Sequence, residues 1–136
     1  ITLVYTLTHA IFQSSFNSEF EGWGAVKNGD EMPYVAKHQL ALLITAEHKK
    51  FTTTISGRYN GAMRTVAGNG PLLLSASTDE AIVIDWAGTF RFSQFIDFFA
   101  SVTNVTNKIY IVSRNPAGAR PGLPRAINLG IKLKII

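Results

Sequence analysis

Residues 104–136, at the end of the chain, read NVTNKIYIVSRNPAGARPGLPRAINLGIKLKII and contain six basic side chains and no acidic one. The segment passes through a loop rich in Pro, Gly and Arg into residues 126–136, where the side chains alternate. Leu129 and Ile131 fall on one face of this last part, and Lys132 and Lys134 fall on the other. A period of two with one apolar and one cationic face predicts a β-strand between an apolar and a watery medium.

The composition limits the classes of function that the chain can have. Residues 1–103 carry seven basic and nine acidic groups, so the last segment accounts for the net charge of +4. Its charges are spread over a loop and one strand face, and we therefore expect no nucleic-acid partner. The absence of cysteine excludes disulfides and thiolate metal sites, and the three histidines lack the spacing of a metal motif. A length of 136 residues predicts a single domain over residues 1–136.

Alternating side chains mark six strands. The strongest pattern is FTTTISGRYN at residues 51–60, because every second side chain is polar. Leu43, Val83 and Phe99 interrupt the polar face elsewhere. The predicted strands are residues 1–12, 37–47, 51–60, 81–92, 96–104 and 126–136, which makes the chain an all-β, antiparallel, up-and-down structure.

The connections between these strands alternate in length. Residues 13–36, 61–80 and 105–125 form long connections, whereas residues 48–50 and 93–95 form short ones. Outer-membrane barrels show this alternation, with short turns on the periplasmic side and long loops outside. Six strands are too few to close such a barrel, so we expect the last six strands of a larger transmembrane β-barrel in the bacterial outer membrane. The chain would then be a piece of a longer protein.

Several stretches resemble one family. Residues 102–125, VTNVTNKIYIVSRNPAGARPGLPR, followed by Gly130, look like the C-terminal end of TonB-dependent outer-membrane receptors. Residues 104–110 loosely match that family's Asn-Leu-Phe-Asp-like element and the Tyr that follows it. Residues 29–40, GDEMPYVAKHQL, and Asp85 within IVIDWAGTFRF are similar to other family segments. The SRNPAGARPGLPR loop is most similar to receptors of the ferric-citrate and siderophore type.

This resemblance implies a barrel of 22 strands, filled by an N-terminal plug, that imports ferric chelates or similar scarce nutrients. The implied partners are a ferric chelate or other small-molecule cargo, outer-membrane lipid, lipopolysaccharide, and TonB through a plug outside residues 1–136. The family usually ends in an aromatic residue, whereas here Ile135 takes that place and Ile136 follows. The ending therefore predicts inefficient assembly.

Five loop residues are candidates for ligand binding. Arg114, Arg120 and Arg125 would attract an anionic iron chelate, because guanidinium groups bind carboxylates bidentately. Alternatively, these arginines pair with loop acids or lipopolysaccharide phosphates, and the Pro and Gly residues fix the loop shape. Trp23 and Phe20 lie among polar residues in the first long loop, where they would stack on an aromatic siderophore or pack the loop against its neighbours.

The remaining polar residues predict structure rather than catalysis. Arg58, Lys132 and Lys134 would face the lumen and pair with acids such as Asp85 and Asp97. Nothing resembles a nucleophile with its base, so we expect neither an enzyme nor a cofactor. A second interpretation remains open, namely a soluble β-sandwich or small-barrel module that binds carbohydrate or peptide with the loop at residues 13–36. A sandwich would cover the apolar face with a second sheet.

Overall fold

The computed structural model describes residues 1–20 and 22–135, and its main element is one antiparallel sheet of six strands. The strands follow one another in sequence order, so each pairs with its nearest neighbour along the chain. Two short hairpins lie in the long loops, and a single 3-10 turn covers Leu74–Ala76. The six strands are β1 (Thr2–Leu7), β4 (His38–His48), β5 (Phe51–Asn60), β6 (Ala81–Arg91), β7 (Ile96–Thr103) and β10 (Ala126–Leu133), and the hairpins are β2 (Phe16–Asn17) with β3 (Ala25–Val26) and β8 (Ile111–Ser113) with β9 (Arg120–Pro121).

The register confirms the two predicted faces. Residues paired directly across an antiparallel sheet lie on the same face. Leu42 pairs with Gly57, which pairs with Ile84, so one face is apolar from strand to strand. Arg58 and Asp85 belong to the opposite face, where Arg58 Nη2 lies 3.2 Å from Asp85 Oδ2. The predicted pairing of charges is thus confirmed for Arg58 with Asp85 and for Lys134 with Asp97, at 2.8 Å, whereas Lys132 forms no ion pair with the residues that the structure describes.

The strand bounds agree with the predictions to within one residue, except at the ends of β1 and β10. β5 has the predicted bounds, and β6 and β7 each end one residue earlier than predicted. β1 ends at Leu7 rather than at residue 12, because the chain turns away and Phe12 packs against Trp23 in a loop cluster. β10 ends at Leu133, and the Ile136 in the predicted ending lies outside the described residues.

The apolar face is bare over the described part of the chain. Ile55 on the central strand β5 is 45% exposed, and Leu129 on the edge strand β10 is 77% exposed. Within residues 1–20 and 22–135 no second sheet packs on this face, and both short hairpins belong to loops. The alternative of a sandwich closed within this chain is therefore wrong. No helix among those residues has the length and apolar character to cross a membrane.

The long loops hold the buried part of the molecule. We name residues 8–37 loop L1, residues 61–80 loop L2 and residues 104–125 loop L3; together they form the long-loop end, and the short turns form the turn end. Buried side chains concentrate in these loops and in the adjoining ends of the strands, and Asp97 at the turn end is the exception in the described chain. The other buried residues are Val26, Asp30, Ala36, Thr65, Ser77, Thr78, Ala81, Val83 and Asn104.

Candidate ligand-binding region at the long-loop end

Tyr34 connects loop L1 to loop L3. Its hydroxyl oxygen accepts hydrogen bonds from the backbone N–H groups of Arg114 at 3.2 Å and Asn115 at 3.0 Å, and from the hydroxyl of Ser113 at 3.4 Å. Its own backbone N–H donates to the carbonyl of Arg64 in L2 at 2.9 Å. One tyrosine therefore joins all three loops.

The same contacts change the acidity of the Tyr34 hydroxyl. Burial by itself raises the pKa of Tyr34, but the hydrogen bonds from Ser113, Arg114 and Asn115 and the charge of Arg120 outweigh burial. The net effect lowers the pKa below its ordinary value, because every one of these groups stabilises the phenolate. The positive charge of Arg120 in L3 therefore acts on the hydroxyl group that joins L1 to L3.

An ion pair and backbone bonds join L1 to L2. Arg64 Nε donates to Glu31 Oε2 at 2.7 Å, and the guanidinium also bonds the carbonyl of Gly70. The backbone N–H of Glu31 donates to the carbonyl of Gly68 at 2.9 Å. Because the Arg64 side chain is largely buried, this pair holds the two loops against each other more firmly than an exposed pair would.

Loop L3 is joined to L2 by side chains that bond backbone groups. Arg114 Nε donates to the carbonyl of Ser77 at 2.6 Å, and Asn115 Nδ2 donates to the carbonyl of Thr65 at 3.0 Å. Asp79 Oδ2 accepts from the backbone N–H of Ile111 at 2.9 Å. These bonds satisfy backbone groups that a buried loop would otherwise leave unpaired.

Asn104 closes the base of L3. Its side-chain amide donates to the carbonyls of Lys108 at 2.9 Å and Leu123 at 3.0 Å, and its Oδ1 accepts from the Lys108 N–H at 2.9 Å. The backbone is left-handed there, with φ of 48°, a conformation that Asn tolerates better than most residues. Its own N–H donates to Asp85 Oδ1 at 2.8 Å, which fixes the carboxylate that pairs with Arg58.

A cleft of about 520 Å³ lies between the polar face of the sheet and loops L2 and L3. Arg58, Asn60 and Asp85 line it from the strands, and Asp79 and Tyr110 line it from the loops. Its volume is within the range of small-molecule sites, and it combines charged groups with apolar wall. Loops L2 and L3 thus create a concave region over the polar face.

The predicted aromatic residues lie in a cluster within L1. Trp23 packs edge-to-face on Phe12 at 5.5 Å, on Phe16 at 6.0 Å and on Phe20 at 5.8 Å between ring centroids. Phe20 remains 63% exposed and Trp23 38% exposed. The structure therefore shows the packing role, and it leaves ring surface on both residues open to a ligand.

The three predicted arginines have different environments. Arg114 is half-buried and holds the Ser77 carbonyl, as described above. Arg120 lies in β9 and Arg125 lies just before β10, and both are exposed. Among residues 1–20 and 22–135, no acidic side chain forms an ion pair with Arg120 or Arg125, so the predicted pairing with loop acids is not observed there.

The amino-acid sequence does not indicate the role of Tyr34, because a single Tyr after a Pro carries no sign that its hydroxyl bonds a loop 80 residues away. Asp30, in the same loop, is buried, and its carboxylate accepts the Lys27 N–H at 2.8 Å. Within the described ranges, no three His, Asp or Glu side chains meet in a way that would hold a metal ion.

Comparisons with known proteins support the fold. No family model matches the sequence, and no curated protein matches it. Among solved structures, the chain is similar to the closed form of the ferric-catecholate import receptor Fiu from Escherichia coli, with a TM-score of 0.73 and 23% sequence identity. The match covers 96% of this chain and 18% of that one, so this chain spans less than a fifth of the receptor's length. The likeness confirms the predicted fold class, all-β with antiparallel strands that match part of that structure.

Proposed function

We propose that this chain forms part of the barrel wall of a TonB-dependent receptor that imports a ferric chelate across the bacterial outer membrane. The observation that carries the proposal is the bare apolar face of a single up-and-down sheet whose long loops interlock at one end. The fold shared with the ferric-catecholate import receptor supports it. The plug and the contact with TonB would belong to parts of the protein outside residues 1–136.

The sheet would stand in the membrane with its apolar face toward lipid. That face carries no Asp, Glu, Lys or Arg on any of the six strands, whereas Arg58, Asp85 and Asp97 lie on the other face. A charge on the lipid side of a barrel costs free energy, so the distribution fits a wall with lipid outside and a polar interior. The long-loop end would then face the outside.

Cargo would first meet the exposed arginines of L3. Arg114 has its Nε bound to the Ser77 carbonyl, so we assign Arg114 to ordering the loop and Arg120 and Arg125 to attracting an anionic chelate. The exposed rings of Trp23 and Phe20 would offer a stacking surface beside them. The cleft below L2 and L3 would receive the chelate on the polar face.

The sequence resemblance and the similar solved structure point to different classes of ferric chelate. The L3 sequence resembles receptors of the ferric-citrate type, whereas the similar solved structure is a ferric-catecholate receptor. Both kinds of cargo are anionic, so exposed arginines suit either, and exposed aromatic rings favour a catecholate. We therefore propose an anionic ferric chelate and leave citrate and catecholate to be separated by uptake.

The test is iron uptake by iron-starved cells that express the whole protein containing this chain. We expect uptake of one ferric chelate, loss of uptake in cells without TonB, and about tenfold weaker binding in Arg120→Gln/Arg125→Gln, since tenfold corresponds to about 1.4 kcal/mol and each of the two exposed charge pairs contributes about 0.7 kcal/mol. Lys27→Gln/Lys37→Gln removes the same charge from L1 and should leave binding close to wild type.

Two results would overturn the proposal. One is recovery of the protein outside the outer-membrane fraction. The other is equal iron uptake with and without the protein for both ferric citrate and a ferric catecholate. A lysine control as weak in binding as the arginine variant would reject the assignment of Arg120 and Arg125 while leaving the transport proposal standing.

A further inference from the structure

A row of small side chains crosses the apolar face near the turn end. Register aligns one residue from each of five neighbouring strands in this row. Four of the five are no larger than Thr, and the fifth, Leu129 on the edge strand β10, is at the end of the row. The row consists of Ala46, Thr53, Gly88, Ala100 and Leu129.

Two ridges of larger side chains flank the row. The turn-side ridge is largely aromatic: Phe51 stacks on Phe90 at 4.5 Å, and the nearby Phe92 packs edge-to-face on Phe90 at 6.5 Å and on Phe98 at 6.0 Å. An apolar groove of about 700 Å³ follows the row from Thr53 to Leu129, between Trp86 on the loop side and the turn-side ridge from Phe51 to Ile131. The turn-side ridge is His48, Phe51, Phe90, Phe98 and Ile131, and the loop-side ridge is Ile44, Ile55, Trp86, Val102 and Ile127.

Trp86 gives the groove a wall without free polar atoms. Its indole ring leans over Gly88, where an added Cβ would lie 2.9 Å from the ring. The indole N–H donates to Thr53 Oγ1 at 2.9 Å, so the wall's hydrogen-bonding group is satisfied inside the sheet. Gly88 is therefore required for this geometry, because any side chain there would displace the ring.

A basic turn lies at the open end of the groove. Lys49 and Lys50 connect β4 to β5 and are exposed, and Lys50 Nζ reaches the carbonyl of Phe92 at 3.2 Å across the aromatic ridge. Thr53 in the groove floor is three residues from Lys50, or roughly 10 Å along the strand. Glu47, the acid nearest in sequence, projects from the opposite face, and His48 is the one other titratable group of the ridge. The turn thus presents two positive charges next to an apolar groove.

We infer that this surface is a binding site for an anionic phospholipid, with the phosphate at Lys49 and Lys50 and one acyl chain in the groove. The inference rests on the proposed function, because it requires the apolar face to meet lipid. Charge complementarity selects the occupant: both lysines are exposed and no acid lies on the apolar face beside the groove, which favours a net-negative headgroup over a zwitterionic one. Aromatic rings between the lysines and the groove match the boundary between headgroups and hydrocarbon.

The test is native mass spectrometry of the whole protein containing this chain, stripped of lipid in detergent and titrated with phosphatidylglycerol or phosphatidylethanolamine. We expect preferential binding of phosphatidylglycerol. Lys49→Gln/Lys50→Gln should weaken it by roughly thirtyfold, since each surface lysine contributes a factor of about five toward anionic lipid. Ala100→Leu should weaken both lipids by filling the groove.

Matched variants separate the site from general effects. Lys27→Gln/Lys37→Gln removes equal charge at the long-loop end, and Gly57→Leu adds equal or greater bulk on the apolar face outside the groove, where no atom crowds Gly57. Both should bind phosphatidylglycerol like wild type. Equal binding of the two lipids, or equal losses in the control variants, would overturn the site while outer-membrane recovery and iron uptake remained intact. Absence of the protein from the outer membrane would overturn the proposed function and this site together.

Discussion

Replacing Asn104 should release the base of loop L3. The side chain is 2% exposed and makes three hydrogen bonds of 2.9–3.0 Å, two with Lys108 and one with Leu123. Each bond contributes about 1 kcal/mol net, so their loss costs about 3 kcal/mol. Alanine also strains a backbone with φ of 48°, which adds about 1 kcal/mol. We therefore expect Asn104→Ala to destabilise L3 by about 4 kcal/mol.

Glycine at the same position separates the two causes. Asn104→Gly loses the hydrogen bonds but adopts positive φ without steric cost, so it should be about 1 kcal/mol milder than Asn104→Ala. Asn107 provides a matched control, because its φ is also positive, at 52°, but its side chain makes no hydrogen bond to a described residue. Asn107→Gly should therefore stay within about 0.5 kcal/mol of wild type.

Hydrogen–deuterium exchange of the peptide covering residues 104–110 measures the effect. The Lys108 N–H loses its acceptor in both Asn104 variants. It should exchange roughly a hundredfold faster in Asn104→Gly, which corresponds to about 3 kcal/mol, and about fivefold faster still in Asn104→Ala because of the added strain. Unchanged exchange in Asn104→Gly would refute the assignment of loop stability to these hydrogen bonds. Equal effects of Gly and Ala would refute the strain contribution alone.

Ile131→Arg should reduce membrane insertion by about 2–4 kcal/mol near the bilayer midplane, whereas Lys132→Ala, on the polar face, should be tolerated; equal effects in a vesicle insertion assay would contradict the orientation of the sheet. Tyr34→Phe should speed exchange of the Asn115 amide by about tenfold or more, while Tyr110→Phe should not, and the reverse order would argue against Tyr34 as the link between L1 and L3. In an ultraviolet titration, Tyr34 should ionise below the ordinary tyrosine pKa near 10, because its hydrogen bonds and the charge of Arg120 lower its pKa in the folded protein. The stability linked to this shift is present above the unfolded pKa near 10 and is lost as pH falls through the folded pKa, so it adds no pH dependence between pH 5 and 8.

The sheet could be predicted in detail because its information is local. Alternation along residues 51–60 fixed β5 to the residue, and alternating loop lengths indicated which strand ends meet. Phe99 interrupted the polar pattern because its ring fills the space over Gly130, where an added Cβ would collide with the ring. The alternation of side chains along one strand does not show that the paired position on the neighbouring strand is a glycine.

For the loops, the sequence predicted their positions along the chain but not the contacts of their side chains. The sequence indicated Arg114, Arg120 and Arg125 as one group, but the structure separates Arg114, which holds a carbonyl, from two exposed arginines. The roles of Tyr34 depend on partners about 80 residues away. No local pattern encodes such a contact, because it exists only once the three loops have met.

The sequence by itself therefore determined the strands, their order, their two faces and the bias of positive charge toward residues 104–136, because each follows from side-chain periodicity and composition. Tertiary structure decided where β1 ends, which arginines are exposed, and how Asn104 and Tyr34 hold the loops. It also decided the transverse groove beside Lys49 and Lys50, since a row across strands depends on register. Register arises from pairing between different segments of the chain, so it cannot be read from the sequence of a single strand.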